Sequence, residues 1–171
     1  MTRLPADPDQ VEGAAFAERL HLQLGRLLVR AVNLVRPRLT LGVRLAAFDA
    51  EGRIFLVRQT YMPGFHLPGG GVDPGETCRE AAVREAHEEG GLICPAPPEP
   101  FGIYFNPALA RRDHVVLFVA RGVVHDPGAR HGLEIRDAGF HPPDALPEAT
   151  TPATRARIAE VLAGRQVSDI W

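Results

Sequence analysis

Three glutamates recur at a spacing that places their carboxylates on one face of a helix. The stretch 77–90 has the alanine content and the starting capping pattern of a helix, and glycines end it. At about 100° per residue, Glu85, Glu88 and Glu89 fall within one arc of that helix. Like charges at these spacings destabilise a helix. A hard divalent cation with oxygen ligands, Mg²⁺ or Mn²⁺, would offset the repulsion, so the spacing predicts a metal site.

A glycine-rich loop directly precedes this helix. Residues 68–75 read Pro-Gly-Gly-Gly-Val-Asp-Pro-Gly, a composition typical of loops. Glycine lets the backbone approach a ligand closely, so the loop can offer carbonyl oxygens to a metal or N–H groups to a phosphate. On the helix, Arg84 lies four residues from both Glu80 and Glu88, and we expect it to bridge these two acids. Loop and helix together have the outline of a site for a metal and a phosphate.

The spacing of these residues resembles the signature of the Nudix hydrolase family. That signature reads glycine, five residues, glutamate, seven residues, then Arg-Glu-aliphatic-x-Glu-Glu-x-Gly-aliphatic. The matching positions here are Gly70, Glu76, Arg84, Glu85, Ala86, Glu88, Glu89, Gly91 and Leu92. Seven fixed residues would coincide at one given position on the order of once in 10⁸. Two departures are visible: Ala86 is smaller than the usual aliphatic residue, and Phe65 stands near where an aromatic residue, often tryptophan, is expected.

The resemblance covers about residues 40–163 and implies a fold and an activity. The implied fold is a Nudix-type α/β/α sandwich with a mixed sheet, here carrying an N-terminal amphipathic helix. The implied activity is hydrolysis of the diphosphate linkage of a nucleoside diphosphate joined to another moiety, by attack of water on phosphorus. A nucleotide-binding module that senses without cleaving is the alternative, although such a module need not keep the complete set of acids.

The resemblance also assigns roles to individual residues. Glu85 and Glu89 look like the principal metal ligands, Glu88 like a further ligand or water bridge, and the Gly69 carbonyl like a backbone ligand. Supporting roles for the loop and the helix fall to three further positions of the signature, Gly70, Glu76 and Arg84. The expected cofactor is Mg²⁺ or Mn²⁺, which would neutralise the diphosphate and acidify a bound water.

The general base is open to two interpretations. Family members take this group either from the signature or from a later loop, so the catalytic candidates are Glu88 and Glu134. Glu134 is an isolated acid just after a loop at 125–132. His114 could also face the site, although a structural role is the commoner one for such a histidine.

Substrate contacts are predicted from the residues that precede the glycine-rich loop. Arg58 ends an apolar strand and is the predicted phosphate contact, with an ion-pair role as the alternative. Tyr61 or Phe65 could stack on a base, although packing is more common for each. Pro107 stands where a proline is associated with ADP-sugar members, but prolines are frequent in this part of the chain. Nucleoside triphosphates, dinucleoside polyphosphates and ADP-sugars all stay open as substrates.

Composition narrows the available chemistry. All 19 residues of the combined Lys+Arg count are arginines. Schiff-base enzymes, pyridoxal-phosphate enzymes and phosphate-binding loops of the Gly-Lys-Ser/Thr kind are therefore excluded, because each requires a lysine amine. Any positive group that meets a substrate phosphate must be a guanidinium, an imidazolium or a metal.

Charge and cysteine content favour a soluble cytoplasmic protein. The net charge of −2 argues against a strongly basic nucleic-acid binder. The chain has two cysteines, which do not form a Cys-x-x-Cys pair, and so few cysteines argue against an oxidising compartment. We expect a nucleotide-type small-molecule substrate, with neither a stable nucleic-acid partner nor a membrane partner. Residues 1–39 are predicted to form a helical extension with an amphipathic helix at 11–35, which could serve a homodimer, and residues 40–171 the Nudix domain.

The remaining elements would position the site. Apolar runs at 41–48 and 53–58 flank a turn sequence and predict a hairpin. The other predicted elements are strands at 101–105, 114–120 and 133–140, the second of them central in a sheet, and a helix at 152–163 capped by Thr151. On the acidic helix, small residues are expected to pack against the sheet, namely Ala82, Val83, Ala86 and Gly90.

Overall fold

Apolar runs and capping residues set the boundaries of the helices and strands. The computed structural model describes residues 40–108, 112–126, 128 and 134–171. The predicted extension 1–39 and its helix lie outside these residues. Within the described ranges the elements are β1 (Thr40–Ala47), β2 (Ile54–Gln59), α1 (Cys78–Gly90), β3 (Leu92–Ile93), β4 (Glu99–Phe105), β5 (Asp113–Ala120), β6 (Val124–His125), β7 (Ile135–His141) and α2 (Pro152–Leu162). Neither α1 nor α2 has the length and apolarity that crossing a membrane requires.

Strand β5 lies at the centre of a mixed three-stranded sheet. It pairs in parallel with β1 on one side, with Val43 opposite Val116, and antiparallel with β4 on the other. Its apolar sequence fits a strand that is buried on both faces, as predicted. Two antiparallel pairs, β2 with β7 and β3 with β6, complete the strands of the described residues.

Two apolar clusters fill the space on either side of the strands. One packs α1 against alternate residues of the strands, including Val43, Phe55 and Val116. The other packs α2 against the intervening residues, including Ala46, Leu56 and Leu117. This alternation gives a helix, strand and helix layering, so the predicted α/β/α sandwich with a mixed sheet is confirmed.

The predicted hairpin of β1 and β2 is wrong beyond its turn. The turn itself forms, with the Asp49 N–H donating to the Arg53 carbonyl at 3.0 Å, and a single antiparallel bridge joins Phe48 to Ile54. Both edges of β1 are already occupied, because β5 lies on one side and the segment 68–72 on the other. Strand β2 therefore pairs with β7, a choice that the local turn sequence could not reveal.

Candidate active site

Helix α1 presents its acids from a firmly capped frame. The Thr77 hydroxyl accepts from the Glu80 N–H while the Glu80 carboxylate accepts from the Thr77 N–H, and Gly91 ends the helix with a left-handed conformation at φ +57°. The buried face consists of small residues, namely Ala81, Ala82, Ala86 and Gly90. Val83 was expected on that face but is exposed, because the helix turns Ala81 toward the sheet instead.

Arg84 connects most of the acids of the signature. Its guanidinium donates to both carboxylate oxygens of Glu76, at 2.8 and 3.0 Å, to Glu85 Oε1 at 2.9 Å and to Glu88 Oε2 at 3.2 Å. The expected bridge to Glu80 does not form, because that carboxylate is used in the helix cap. Hydrogen bonds from Arg84 lower the pKa of Glu76, and those to Glu76 and Glu85 raise the pKa of Arg84. Glu76 and Arg84 thus tie the loop to the helix.

Glu89 is held at both of its carboxylate oxygens. The Gly69 N–H donates to Oε2 at 2.8 Å, and the Gln59 side-chain amide donates to Oε1 at 2.5 Å. Burial raises the pKa of Glu89, opposed by these hydrogen bonds. Gln59 is not among the residues predicted from the sequence, although the alternation of β2 carries a signal: Phe55 and Val57 face α1, and Gln59 continues that face.

The glycine-rich loop brings backbone directly against the carboxylates. It runs along β1, with the Val43 N–H donating to the Gly70 carbonyl and the Leu45 N–H to the Pro68 carbonyl, both at 2.9 Å. Gly69 has φ +146°, and a Cβ there would overlap the backbone of Val43. A Cβ on Gly70 would lie 2.6 Å from Cδ of Glu85. Only glycine permits this close approach.

Glu134 and Tyr61 lie along the same edge. The Thr60 N–H donates to the Glu134 carbonyl at 2.8 Å, next to the pairing of Gln59 with Ile135. Tyr61 is 63% exposed, and the partial burial of its hydroxyl together with the charges of Glu134 and Glu89 raises its pKa. The β2–β7 pairing therefore brings a distant glutamate toward the acids of α1, and leaves an aromatic ring open beside them.

The structure separates Arg58 from the carboxylates. Arg58 lies on the face of β2 opposite to Gln59, where its guanidinium stacks 5.9 Å from the centre of the Phe65 ring. Phe65 is buried in the α2 cluster and also packs edge-on against His141. The guanidinium anchored beside the glycine loop is instead that of Arg44 of β1, which the sequence did not single out. Burial lowers the pKa of Arg44, and the charges of Glu89 and Glu85 oppose that shift.

His114 occupies a structural position. Its ring packs against Phe105 with 5.4 Å between ring centres. The neighbouring Asp113 accepts from the Thr40 hydroxyl at 2.7 Å and from the Asn106 amide at 2.9 Å. These contacts join the start of β5 to β1 and to the end of β4.

The carboxylates of α1 are the type of ligand that a hard divalent cation prefers. In this structure they are hydrogen-bonded to other groups of the protein. Over the described ranges, no three acidic, cysteine or histidine side chains converge to hold an ion. Glu85 and Glu88 are bound to Arg84 through one oxygen each, and the Glu88 side chain is 58% exposed. Three carboxylates beside an open glycine loop fit Mg²⁺ or Mn²⁺ by charge and ligand type. Binding would exchange bonds to Arg84 for bonds to the cation.

Two adjacent glycines allow a matched test of this packing. We expect Gly70→Ala to lower kcat/KM about 10- to 100-fold, because the new Cβ displaces the Glu85 carboxylate, and to change the melting temperature little, because that carboxylate is the mobile end of a side chain. Gly71→Ala is the control, since nothing lies within 4 Å of its Cβ. Equal activity of the two variants would show that Glu85 is not required in this position.

Comparison with known proteins identifies the family. A NUDIX domain model matches residues 38–162. The chain belongs to the Nudix family. An ADP-ribose pyrophosphatase from Methanocaldococcus jannaschii is 31% identical over 145 residues, covering 81% of this chain and 85% of that protein. A MutT NUDIX hydrolase from Burkholderia pseudomallei aligns with a TM-score of 0.62 at 25% identity, over 73% of this chain and 99% of that one.

The fold comparison agrees with this membership. A NUDIX hydrolase from Nitrosomonas europaea aligns with a TM-score of 0.64 over 77% of this chain and 93% of that one, at 21% identity. The prediction of a Nudix fold is confirmed by these structures, and that of a Nudix-type pyrophosphohydrolase by the family model and the relatives that match this chain. Nudix hydrolases generally use divalent metals, which agrees with the ligand chemistry of the acids on α1.

Proposed function

We propose that the protein is a divalent-metal-dependent hydrolase that cleaves the diphosphate linkage of a nucleoside diphosphate joined to another moiety. The observation that carries this proposal is the contact of the glycine loop with the acids of α1. The Gly69 N–H donates to Glu89 at 2.8 Å, and the absence of a Cβ on Gly70 leaves room for Glu85. A rigid backbone beside fixed carboxylates suits a metal-bound diphosphate.

Mg²⁺ or Mn²⁺ is the proposed cofactor, held by Glu85 and Glu89 with Glu88 and the Gly69 carbonyl as further ligands. When bound, it would neutralise diphosphate oxygens and lower the pKa of a bound water. The protein's own contribution is to orient the ligands. Glu89 is fixed by its two hydrogen bonds, whereas the exposed carboxylate of Glu88 has one hydrogen-bond partner among the described residues, Arg84 at 3.2 Å.

Glu134 is the proposed general base, in preference to Glu88. The bond from the Thr60 N–H to the Glu134 carbonyl places this residue beside β2, and its charge acts on Tyr61 together with that of Glu89. Glu134 is not among the acids bound to Arg84, so its carboxylate is available for another role. It could accept the proton of the attacking water.

The two candidates for the base can be separated by matched variants. We expect Glu134→Gln to lower kcat about 100-fold with little change in KM, because a base acts on the reacting water and not on substrate binding. Glu88→Gln should cost less, because its carboxylate would be a secondary ligand. The reverse order of the two losses in single-turnover rates would assign the base to Glu88.

The substrate class is proposed at the level of nucleoside diphosphate derivatives, with ADP-ribose tested first. The similarity to an ADP-ribose pyrophosphatase over 81% of this chain supports that order. The exposed ring of Tyr61 could stack on a base, whereas Phe65 is buried and unsuited to that role. Pro107, at the position associated with ADP-sugar members, is exposed just after β4.

A panel experiment tests the proposal. The protein would be incubated with ADP-ribose, a dinucleoside polyphosphate and a nucleoside triphosphate, with Mg²⁺, with Mn²⁺ or with a chelator, and the products separated by ion exchange. We expect cleavage of at least one diphosphate linkage only when metal is present. Tight nucleotide binding without cleavage under any condition would instead support the sensing module, and cleavage in chelator would contradict the metal requirement.

A further inference from the structure

Arg44 lies in the middle of β1, the strand along which the glycine loop runs. Its neighbours Val43 and Leu45 pack in the α1 cluster, so Arg44 lies on the other face of the strand. There its Nη1 donates to the Leu67 carbonyl at 2.8 Å. That carbonyl belongs to the residue that leads into the glycine loop, so the guanidinium is anchored beside the loop.

Charged or titratable groups on the elements around it act electrostatically on this guanidinium and raise its pKa, against the larger lowering by burial. These are Glu89 and Glu85 of α1, Tyr61 after β2, and Asp113 of β5. In the described part of the chain, however, no carboxylate lies within ion-pair distance of Arg44, and the Leu67 carbonyl is its one side-chain hydrogen-bond acceptor. A guanidinium has five N–H donors, so most of those of Arg44 are available to a ligand.

The other arginines next to the loop are used differently. Arg84 is bound to Glu76, Glu85 and Glu88, and Arg58 is stacked on a buried ring on the opposite face of β2 from Gln59. The chain contains no lysine to replace them. Of these three arginines, Arg44 alone is anchored to the carbonyl of the residue that leads into the glycine loop and keeps further donors open within the described residues.

We propose that Arg44 binds the diphosphate group of the substrate, with its planar guanidinium donating to phosphate oxygens while the Leu67 carbonyl fixes its orientation. This inference rests on the proposed function and names a binding residue for it. A half-buried guanidinium is well suited to this task, because it stays charged and its fork geometry matches phosphate oxygens. The same cation repels a divalent metal held by Glu85 and Glu89, so its charge would favour the anionic substrate at the expense of metal affinity.

The opposite effects on anion and metal allow a sharp test. The first probe is a non-hydrolysable α,β-methylene ADP-ribose analogue, whose binding is measured by calorimetry in the presence of Mg²⁺. The second probe is Mn²⁺ alone, whose binding is measured by electron paramagnetic resonance. We expect Arg44→Met to weaken binding of the analogue about 10- to 100-fold, because one or two charge-assisted hydrogen bonds are lost. The variant should bind Mn²⁺ as tightly as the wild type or more tightly. Arg121→Met is the control, since Arg121 is exposed and stacks on Phe48 at the far end of β5.

The outcomes separate this inference from the proposed function. Unchanged binding of the analogue by Arg44→Met overturns the inference even if the wild type is an active hydrolase. An equal loss of analogue and Mn²⁺ binding also overturns it, because Arg44 would then act only by positioning the loop. A selective loss of analogue binding supports it even if the wild type cleaves nothing in the panel. Arg44→Lys, which keeps the charge, serves in place of Arg44→Met if that variant does not fold, and should show a smaller loss of the same kind.

Discussion

Replacement of Glu89 by glutamine is expected to lower kcat/KM about 1000-fold while leaving the melting temperature unchanged or slightly raised. Glu89 is the acid with both oxygens fixed, by the Gly69 N–H and by Gln59, and the proposed function makes it a principal metal ligand. A neutral amide binds a hard cation weakly. The metal contributes several kcal/mol of transition-state stabilisation, and about 4 kcal/mol corresponds to about 1000-fold in rate.

The fold should tolerate this substitution because the surrounding groups can rearrange. The buried Oε1 of Gln59 has no hydrogen-bond partner among the described residues, so a flip of the Gln59 amide would let it accept from the new side-chain amide. Burial raises the pKa of Glu89, which means that the native state holds the ionised form at a cost. Glutamine removes that cost at neutral pH.

A surface glutamate provides the control for this prediction. Glu148 is exposed and distant in sequence from the acids of α1, and Glu148→Gln should leave both activity and stability unchanged. Initial rates of product formation in Mg²⁺ and in Mn²⁺, with thermal unfolding of each variant, would measure both properties. Activity of Glu89→Gln within threefold of the wild type would remove Glu89 from the metal site.

Features with local physical causes could be predicted from the sequence. The capping box of Thr77 and Glu80, the end of α1 at glycine and the shared face of its acids depend on residues a few positions apart. The apolar run of β5 likewise indicates a central strand without knowledge of its partners. The Nudix signature could also be recognised from the sequence, because nearly all its residues lie within one loop and the helix that follows it.

Contacts between distant segments could not be predicted in the same way. Gln59 meets Glu89 across 30 positions, and Arg44 meets the Leu67 carbonyl across 23, so both depend on which strands pair. The wrong hairpin of β1 and β2 has this cause. The prediction of Arg58 as the phosphate contact rests on its place at the end of an apolar strand, whereas the position of Arg44 beside the loop depends on the run of 68–72 along β1.

A second non-local arrangement lies at the carboxyl-terminal segment and centres on Glu160. Glu160 of α2 is buried and accepts hydrogen bonds from the Tyr104 hydroxyl at 2.8 Å and from Arg157 at 2.9 Å. It also accepts from the N–H groups of Val167 and Ser168, at 3.1 and 3.0 Å. One carboxylate thus joins β4, α2 and the segment that follows α2.

Arg157 completes this buried group. Its Nη1 donates to the Ile170 carbonyl at 2.6 Å, and its guanidinium stacks 4.4 Å from the centre of the Tyr104 ring and 5.8 Å from that of Trp171. The terminal segment also pairs with β4, because the Trp171 N–H donates to the Phe105 carbonyl at 2.9 Å. Both charges are therefore removed from water and depend on each other.

Glu160→Gln is expected to lower the free energy of unfolding by about 3–5 kcal/mol, because it leaves the Arg157 guanidinium buried without its counter-charge. For a domain of this size that corresponds to a fall of about 10 °C in melting temperature.

Chemical denaturation would give the free energy of unfolding, and Glu148→Gln again supplies a neutral control. The double variant Arg157→Met with Glu160→Gln should recover part of the loss, since it removes both charges while the glutamine oxygen can still accept from the N–H groups of Val167 and Ser168. A loss below about 1 kcal/mol in Glu160→Gln would show that the pair is not desolvated in solution and that the terminal segment opens to water. The kcat of folded Glu160→Gln should match that of the wild type, because no residue of this group contacts Glu85 or Glu89.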